Sequence, residues 1–340
     1  MSFAAAAASL AERAPLPDFV IRAGMRRVIA ANDAAATPPG TDAAFARAMA
    51  AKPIAEHADA ANRQHYELPP DFFALFLGPH RKYSSCLYPT GTESLAEAEA
   101  IALTETVAHA GLAAGQEILE LGCGWGSLSL FMAEKFPTAR ITSVSNSAPQ
   151  RRFIEAQARA RGLTNLTVIT ADMNAFQPQH RFDRVVSVEM FEHMANWRPL
   201  LQRVRDCLEP DGRMFMHVFA NRHASYRFAA DDKEDWIAQH YFTGGIMPSR
   251  NLIRQFPDCF TVDAEWWWNG RHYQRTAQHW LDNFDRNADA VFAVLKCVYG
   301  RDAKLWQRRW RLFFLATMGL FGHAAGEEWG VSHYRLTPAR

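Results

Sequence analysis

The sequence lacks both an excess of one charge and a long apolar run. Its 37 Lys and Arg residues nearly balance its 36 Asp and Glu residues, so no overall attraction to nucleic acid is expected. The longest strongly apolar stretch, LFFLATMGLFG, is shorter than the roughly 20 residues that a membrane-spanning helix needs. We therefore predict no nucleic-acid partner and no transmembrane segment. The expected location is the cytoplasm, with peripheral contact to the inner membrane surface as an alternative.

Cysteine is also scarce and irregularly placed. The chain has 5 cysteines, an odd number, without the C-x-x-C spacing of zinc or disulfide-exchange sites. The first residues, MSFAAAAASLAERAPLP, carry the acidic Glu12 and no basic segment, unlike an export signal. These features predict reduced intracellular thiols and no metal site.

Between about 110 and 220, apolar segments alternate with helix-forming segments. The segments with the length and composition of buried strands are EILEL, ARITSVS, LTVITAD, FDRVVSVE and RMFMHVFA. The helix-forming segments are SLSLFMAEKF, APQRRFIEAQARARG and WRPLLQRVRDCLEPDG. Strands and helices that alternate at these lengths form right-handed βαβ units. The predicted fold class is α/β, with a Rossmann-like doubly wound parallel sheet.

Three glycines lie between the first predicted strand and the helix that follows it. The segment ELGCGWGS places them at Gly122, Gly124 and Gly126, where the backbone can turn tightly and approach a ligand at a helix N-terminus. Their G-x-G-x-G spacing differs from that of dinucleotide sites, and the carboxylate of Glu120 would repel a diphosphate. It would attract the sulfonium and ammonium of S-adenosylmethionine. This cofactor is the prediction, and a simple packing turn is the alternative.

Polar residues at the ends of the next two strands are predicted to hold the rest of the cofactor. Ser145, Asn146 and Gln150 follow the second strand, where the ribose hydroxyls of a nucleotide cofactor usually bind. Asp172 and Met173 follow the third strand, beside the expected adenine. Helix capping is the alternative role for Asn146.

The regions around this core differ in composition. Residues 1–60 form an Ala- and Pro-rich extension with short helices, and residues 61–110 contain helices predicted to close the cofactor site. Residues 111–220 form the cofactor-binding core. Residues 221–340 are expected to form a helical substrate-binding lid, with the helical segments DKEDWIAQHYF, PSRNLIRQF and AQHWLDNFDRNADAVFAVLKCVYG. The segment WGVSHYRL is expected to return as a final, antiparallel edge strand.

A second polar cluster follows the fourth strand. The segment SVEMFEHM places Glu189, Glu192 and His193 where the apolar strand ends. His217 interrupts the apolar strand MFMHVF, where an unpaired imidazole would be costly. Open α/β sheets bind ligands at the carboxyl ends of their strands, so we predict a reaction site here. A helix cap and solvated surface are the alternatives for the two glutamates.

Five segments carry a specific combination of motifs: HYELPPDFFALFLGP…KYSSCLYPTGTESLAEAE, LELGCGWGS, SVEMFEHM, WWWNGRHYQRT and GEEWGVSHY. Together they resemble the cyclopropane fatty-acid synthase superfamily of S-adenosylmethionine-dependent methyltransferases, and most closely its coclaurine N-methyltransferase-like branch. The resemblance covers roughly residues 60–336.

The resemblance implies which residues line the cofactor: Tyr83, Ser84, Gly122, Ser145, Gln150, Asp172 and Glu189. Lipid-modifying members of the superfamily hold a bicarbonate ion, and the matching positions are Cys86, Glu192, His217, the backbone of Phe219, and Tyr273. In the alkaloid-type N-methyltransferases, the Glu and His of FEHM, here Glu192 and His193, are instead assigned to the amine. Those enzymes often have Phe where this chain has Tyr273, which favours the lipid enzymes.

The resemblance and the aromatic C-terminal third, with EWWWNG and LWQRRWRLFF, lead to an expected function. We expect an S-adenosylmethionine-dependent methyltransferase that adds a methyl or methylene group to an unsaturated acyl chain of a phospholipid, with bicarbonate as a second ligand. The alternative is N-methylation of a small amine. A third hypothesis is cofactor binding without catalysis, and a homodimer is one candidate assembly.

Overall fold

The computed structural model describes residues 11–14, 16–34, 41–56, 68–228 and 236–339. Its helices are α1 (Asp18–Ala34), α2 (Thr41–Met49), α3 (Pro70–Ala74), α4 (Leu95–Ala110), α5 (Ser127–Lys135), α6 (Ala148–Ala160), α7 (Trp197–Asp206), α8 (Trp236–His240), α9 (Arg271–Arg286), α10 (Ala288–Tyr299) and α11 (Ala303–Gly322). Its strands are β1 (Glu117–Leu121), β2 (Arg140–Ser145), β3 (Leu166–Thr170), β4 (Phe182–Val188), β5 (Leu208–Asn221), β6 (Tyr226–Arg227), β7 (Ile246–Met247), β8 (Phe260–Asn269) and β9 (Trp329–Pro338).

Within these residues, seven strands form one mixed sheet in the order β3-β2-β1-β4-β5-β9-β8. The strands β1 to β5 are parallel to one another, while β9 runs antiparallel to both β5 and β8. The strand order reverses between β1 and β4, so the carboxyl ends of these strands flank a crevice. The predicted α/β class and its doubly wound parallel core are confirmed.

The C-terminal region corrects two expectations. The tail returns as the antiparallel strand β9, but it lies inside the sheet because β8 pairs with its outer side. The strand β8 was expected to be part of a helical lid. Its run Trp266–Trp268 hides the strand pattern because both faces of the strand carry aromatic contacts. Trp266 stacks on His109 on one face, and the guanidinium of Arg250 lies 5.3 Å from the Trp267 ring.

Several predicted helices differ in extent. The helix expected from WRPLLQRVRDCLEPDG ends at Asp206, because LEPDG begins β5. PSRNLIRQF contains only the short 3₁₀ turn Leu252–Gln255. The long helix expected near the C-terminus is divided into α9 and α10 at Asn287, whose side-chain amide donates to the Leu75 carbonyl. Residues 229–235, which include part of the segment DKEDWIAQHYF, lie outside the described residues.

The N-terminal extension is joined to the core. Asp18 of α1 forms an ion pair with Arg311 of α11. Asp42 of α2 accepts hydrogen bonds from the hydroxyls of Ser225 and Ser249, which lie beyond the end of β5. The carbonyl of Ile54 accepts backbone N–H groups from the segment that follows SVEMFEHM. The extension therefore reaches the carboxyl edge of the sheet.

No helix in the described ranges is long and apolar enough to cross a membrane. The same residues contain no group of three His, Cys, Asp or Glu side chains that could hold a metal ion.

Candidate active site

A cleft opens at the carboxyl ends of β1 to β4. We call it the cofactor cleft. Every residue that the sequence predicts for cofactor binding lines it: Tyr83, Ser84, Glu120, Gly122, Gly124, Ser145, Asn146, Gln150, Asp172, Met173 and Glu189. The fold thus brings residues that lie as far apart in the chain as Tyr83 and Glu189 together at one edge of the sheet.

The glycine loop has the backbone that its sequence predicts. Gly122 and Gly124 have φ angles of +82° and +51°, in the left-handed region that favours glycine. A Cβ at Gly122 would lie 2.5 Å from the Met190 side chain, which leaves no room for a larger residue. At Gly124 no neighbouring atom lies within 4 Å of the Cβ position. The loop therefore presents bare backbone to open space in the cleft, as a bound cofactor requires.

Polar atoms that line the cleft also fit S-adenosylmethionine. Within the described residues, the buried Trp125 Nε1, Ser127 Oγ and Gln150 Nε2 have no hydrogen-bond partner. The carboxylate of Glu120 accepts from the hydroxyls of Ser129 and Ser143, and burial raises its pKa despite these bonds. Unused donors suit hydroxyl and carboxylate groups, and a buried carboxylate suits a cationic ligand. Residues at the cleft thus fit this cofactor.

Several residues that line the cleft are not among those that the sequence predicts. Ala55 and Glu56 come from the N-terminal extension, and Arg81 and Lys82 precede the predicted Tyr83 and Ser84. Lys82 is buried, and its ammonium donates to Ser84 Oγ and to the carbonyl of Ser85.

Glu189 lies at the centre of a hydrogen-bonded cluster next to the cleft. Its φ of +46° is in the left-handed region, where a residue other than glycine is strained and often marks a functional site. Its carboxylate accepts from the Ser85 N–H at 2.8 Å and the Tyr273 hydroxyl at 2.7 Å, and lies 3.1 Å from His217 Nε2. Burial raises the pKa of Glu189, and the charge of Lys82 opposes this effect.

Glu192 lies in the 3₁₀ turn Phe191–His193 and is 0% exposed. Its Oε1 accepts the Phe219 N–H at 2.7 Å. Its Oε2 is buried and has no hydrogen-bond partner within the described residues. Burial and the charge of Glu189 raise the pKa of Glu192 well above its usual range. We call Glu189 and Glu192 the carboxyl pair, because two buried and interacting carboxyl groups cannot both ionise easily.

The four other residues predicted to be catalytic are His193, Cys86, Tyr273 and His217, and they lie in different surroundings. His193 lines the cleft, and its ring stacks on Phe242 at 4.5 Å. The Cys86 thiol is buried with its Sγ 3.7 Å from the Ser84 carbonyl, and burial raises its pKa to about 12. Tyr273 and His217 both contact Glu189. The donors expected to hold bicarbonate are thus paired with the carboxyl pair: Phe219 N–H with Glu192, and Tyr273 and His217 with Glu189.

The fold and the cleft define a class I S-adenosylmethionine-dependent methyltransferase. Residues 55–323 match the model of the family described as mycolic acid cyclopropane synthetase, and the chain belongs to this family.

Known members of several specificities are similar to this chain. It is 33% identical to (S)-coclaurine N-methyltransferase of Thalictrum flavum subsp. glaucum over 82% of this chain and 79% of that protein. It is 30% identical to the cyclopropane-fatty-acyl-phospholipid synthase of Escherichia coli K12, over 72% of this chain and 66% of that protein. A crystal structure of coclaurine N-methyltransferase bound to N-methylheliamine and S-adenosylhomocysteine superposes with a TM-score of 0.93. It has 30% identity and covers 97% of this chain and 98% of that one. S-adenosylmethionine is therefore the cofactor.

Proposed function

We propose that the protein N-methylates a small amine of an aromatic compound, such as an arylethylamine or a tetrahydroisoquinoline. The observation that carries the proposal is Oε2 of Glu192, a buried acceptor without a partner in the described structure, beside the second carboxyl group of the pair. A buried carboxylate without a partner is costly, and a cationic N–H donor removes this cost. An amine in its ammonium form supplies both the charge and the hydrogen.

Aromatic rings next to the carboxyl pair suit the same ligand. Phe219, whose N–H binds Glu192, has ring centroids of Phe242 and Phe321 at 5.4 Å and 6.2 Å. Phe321 stacks on Tyr273 at 4.4 Å, and the Tyr273 hydroxyl donates to Glu189. Aromatic faces attract an ammonium and also bind the apolar part of an aromatic amine.

The residues have separate tasks in this reaction. The cofactor supplies a methyl group on a sulfonium, which is already a strong electrophile. Glu192 holds the amine through its free oxygen and accepts a proton, so that the nitrogen lone pair becomes available. Glu189 is held by Ser85, Tyr273 and His217, which fixes the second carboxyl group of the pair. Phe219 and Phe242 exclude water from the reacting nitrogen.

The similarity to coclaurine N-methyltransferases supports an amine substrate. The specific observation that favours acyl-lipid methylation is the hydroxyl of Tyr273, because the alkaloid-type enzymes often have Phe there. In this chain that hydroxyl donates to Glu189, and the Phe219 N–H donates to Glu192, so neither donor is free to hold a bicarbonate ion. The contacts therefore support the amine better than the acyl chain.

A methyl-label assay tests the proposal. The enzyme is incubated with S-adenosylmethionine that carries a labelled methyl group, in one arm with tetrahydroisoquinolines and arylethylamines, and in another with vesicles of unsaturated phospholipid. We expect labelled amines and unlabelled acyl chains, with a rate that does not depend on added bicarbonate. Label in the acyl chains, together with unlabelled amines, would refute the amine function.

The substitution Tyr273→Phe separates the two chemistries in one variant. In the amine reaction it removes one of three partners of Glu189, so we expect kcat to fall by less than about tenfold, or about 1.4 kcal/mol. In a bicarbonate-dependent reaction the same hydroxyl would hold the base itself, and nearly all activity would be lost. Steady-state kinetics with the amine measure the effect. Tyr299→Phe, on α10, where the ring stacks on Trp306, is the matched control.

A further inference from the structure

A continuous row of histidine rings connects the carboxyl pair to the protein surface. His217 Nε2 lies 3.1 Å from Glu189 Oε1, and His217 Nδ1 lies 2.8 Å from His333 Nε2. His333 Nδ1 lies 2.8 Å from His109 Nδ1, and His109 Nε2 lies 3.3 Å from Glu105 Oε2. The Glu105 side chain is 43% exposed. We call the rings of His217, His333 and His109 the histidine row.

The fold explains why the rings meet. His217 on β5 and His333 on β9 are directly paired across the antiparallel ladder, so their side chains share one face of the sheet. The last turn of α4 covers this face and carries His109. The His109 ring stacks on Trp266 at 3.8 Å, with an angle of 8° between the planes. The Trp268 ring lies 4.2 Å from His333. Strand pairing and two tryptophans therefore fix the row.

The burial of the row calls for an explanation. His217 and His333 are both 0% exposed, and burial lowers the pKa of each imidazole well below its usual value. Buried neutral imidazoles need a donor or acceptor for each nitrogen, whereas two apolar side chains would fill the same space without any such requirement. Every ring nitrogen in the row has a partner, and the partners form one path that begins at a carboxyl group of the site.

We propose that the histidine row is a proton relay that exchanges one proton between Glu189 and the surface at His109 during methyl transfer. The inference rests on the proposed function in that a substrate ammonium must lose a proton before it can react. Each neutral imidazole carries one hydrogen, so it can accept a proton on one nitrogen and release another from the opposite nitrogen.

The proton balance is complete along this path. The substrate ammonium gives a proton to Glu192, and the free nitrogen pair forms the new N–C bond while the electrons of the C–S bond remain on sulfur. Glu189, protonated at the start, passes its proton to His217 Nε2. His217 Nδ1 and His333 Nδ1 pass theirs outward in turn, and His109 releases one proton to solvent beside Glu105. Glu189 is left as a carboxylate, and it takes the substrate's proton from Glu192 as the methylated product leaves, so that in each turnover one proton enters the carboxyl pair and one leaves at His109.

Two variants at different points of the row test the relay. His333→Gln keeps a donor and an acceptor but cannot pass a proton, while His109→Ala removes the surface end. In single turnovers with an amine substrate, a pH indicator measures proton release and quenched samples measure methyl transfer. We expect the single-turnover rate constants for proton release and methyl transfer to fall about tenfold or more in both variants, with unchanged cofactor affinity and a changed solvent isotope effect.

Chemical rescue separates a relay from a structural role. Millimolar imidazole should restore His109→Ala, because a free imidazole can replace the surface ring, but it should not restore the buried His333→Gln. His180→Ala, which removes a side chain that is 51% exposed and outside the row, should have wild-type kinetics with and without imidazole. If imidazole does not restore His109→Ala, or both variants lose stability but keep the wild-type rates, the relay is wrong.

The row is also tested without any amine. Long-range ¹⁵N spectra of the cofactor-bound enzyme show which nitrogen of each imidazole carries hydrogen. We expect Glu189→Gln to change the tautomer of His333 as well as that of His217, because the rings are coupled. Unchanged His333 shifts would overturn the relay even if amine methylation is found. Coupled shifts without amine turnover would leave the relay standing and reject the substrate proposal.

Discussion

Replacing Glu192 by Gln is expected to lower kcat with an amine substrate by about 10²- to 10⁴-fold. The amide keeps the shape of the side chain, and its oxygen can still accept the Phe219 N–H. The other end, however, becomes an NH₂ group where the unpartnered oxygen now lies, so it can neither hold an ammonium nor accept its proton. Cofactor binding should be unchanged, because Glu192 does not line the cofactor cleft.

The pH dependence of the wild-type enzyme gives the same expectation a second readout. Burial raises the pKa of Glu192, and the charge that Glu189 carries when it is ionised raises it further. The carboxylate is the active form, so kcat/KM should fall as the pH falls through this raised pKa. The acid limb of the profile should thus lie above the ordinary Glu value of about 4.3, and it should be absent in Glu192→Gln.

The matched control is Glu134→Gln, at a helix position where the side chain is 67% exposed. It should leave kcat, KM and the acid limb unchanged. If Glu192→Gln kept kcat within a few-fold of the wild type, or kept the acid limb, another group would have to be the base.

The cofactor cleft could be predicted from the sequence because its residues are set by local patterns. Gly122 and Gly124 follow the apolar-rich strand β1. Ser145 is the last residue of β2, and Asp172 follows β3. The parallel sheet brings the ends of neighbouring strands to one edge, so the position of a residue along its strand determines where it lies. The predicted cofactor residues at these strand ends line the cleft for this reason, whereas Tyr83 and Ser84 lie outside the strands and are implied by the family resemblance.

The contacts of the carboxyl pair could not be predicted in the same way. SVEMFEHM identifies Glu189 and Glu192, but their partners Tyr273 and Phe219 come from α9 and β5, and no short-range pattern relates these positions. The sequence predicts Glu189 as a cofactor ligand and as part of the reaction site, but it indicates none of the contacts of Glu189 with Ser85, Tyr273 and His217.

The histidine row depends on pairings that are still more distant. His109 and His333 are 224 residues apart in the chain and meet only because β9 inserts between β5 and β8. The sequence pattern does not reveal that insertion, because it predicts a helical lid where β8 lies. A polar residue inside an apolar strand, as at His217 and at His333 in WGVSHYRL, is the sequence signal that points to the proposed row.

Gly124→Ala is expected to weaken S-adenosylmethionine binding by about 10- to 100-fold, which is about 1.4 to 2.7 kcal/mol. Such a variant both strains the backbone and places a methyl group where the cofactor binds. A second glycine, outside the cleft, separates these two effects. Gly115 has φ of +78° and Gly124 has φ of +51°, and neither has an atom within 4 Å of its Cβ position. An added methyl group strains the backbone at both sites, so each variant should lose about 1 to 2 kcal/mol of unfolding free energy.

The cofactor cleft distinguishes the two sites. Gly124 lines the cleft and Gly115 does not, so the open space at Gly124 is where a bound cofactor would meet the new methyl group. Denaturant unfolding should give similar losses for both variants, and calorimetric titration should show weaker cofactor binding in Gly124→Ala alone. Equal cofactor affinity in both variants would mean that the glycine loop serves only to turn the chain from β1 into α5. A loss in Gly124→Ala alone would mean that the bare backbone of the loop contacts the cofactor itself.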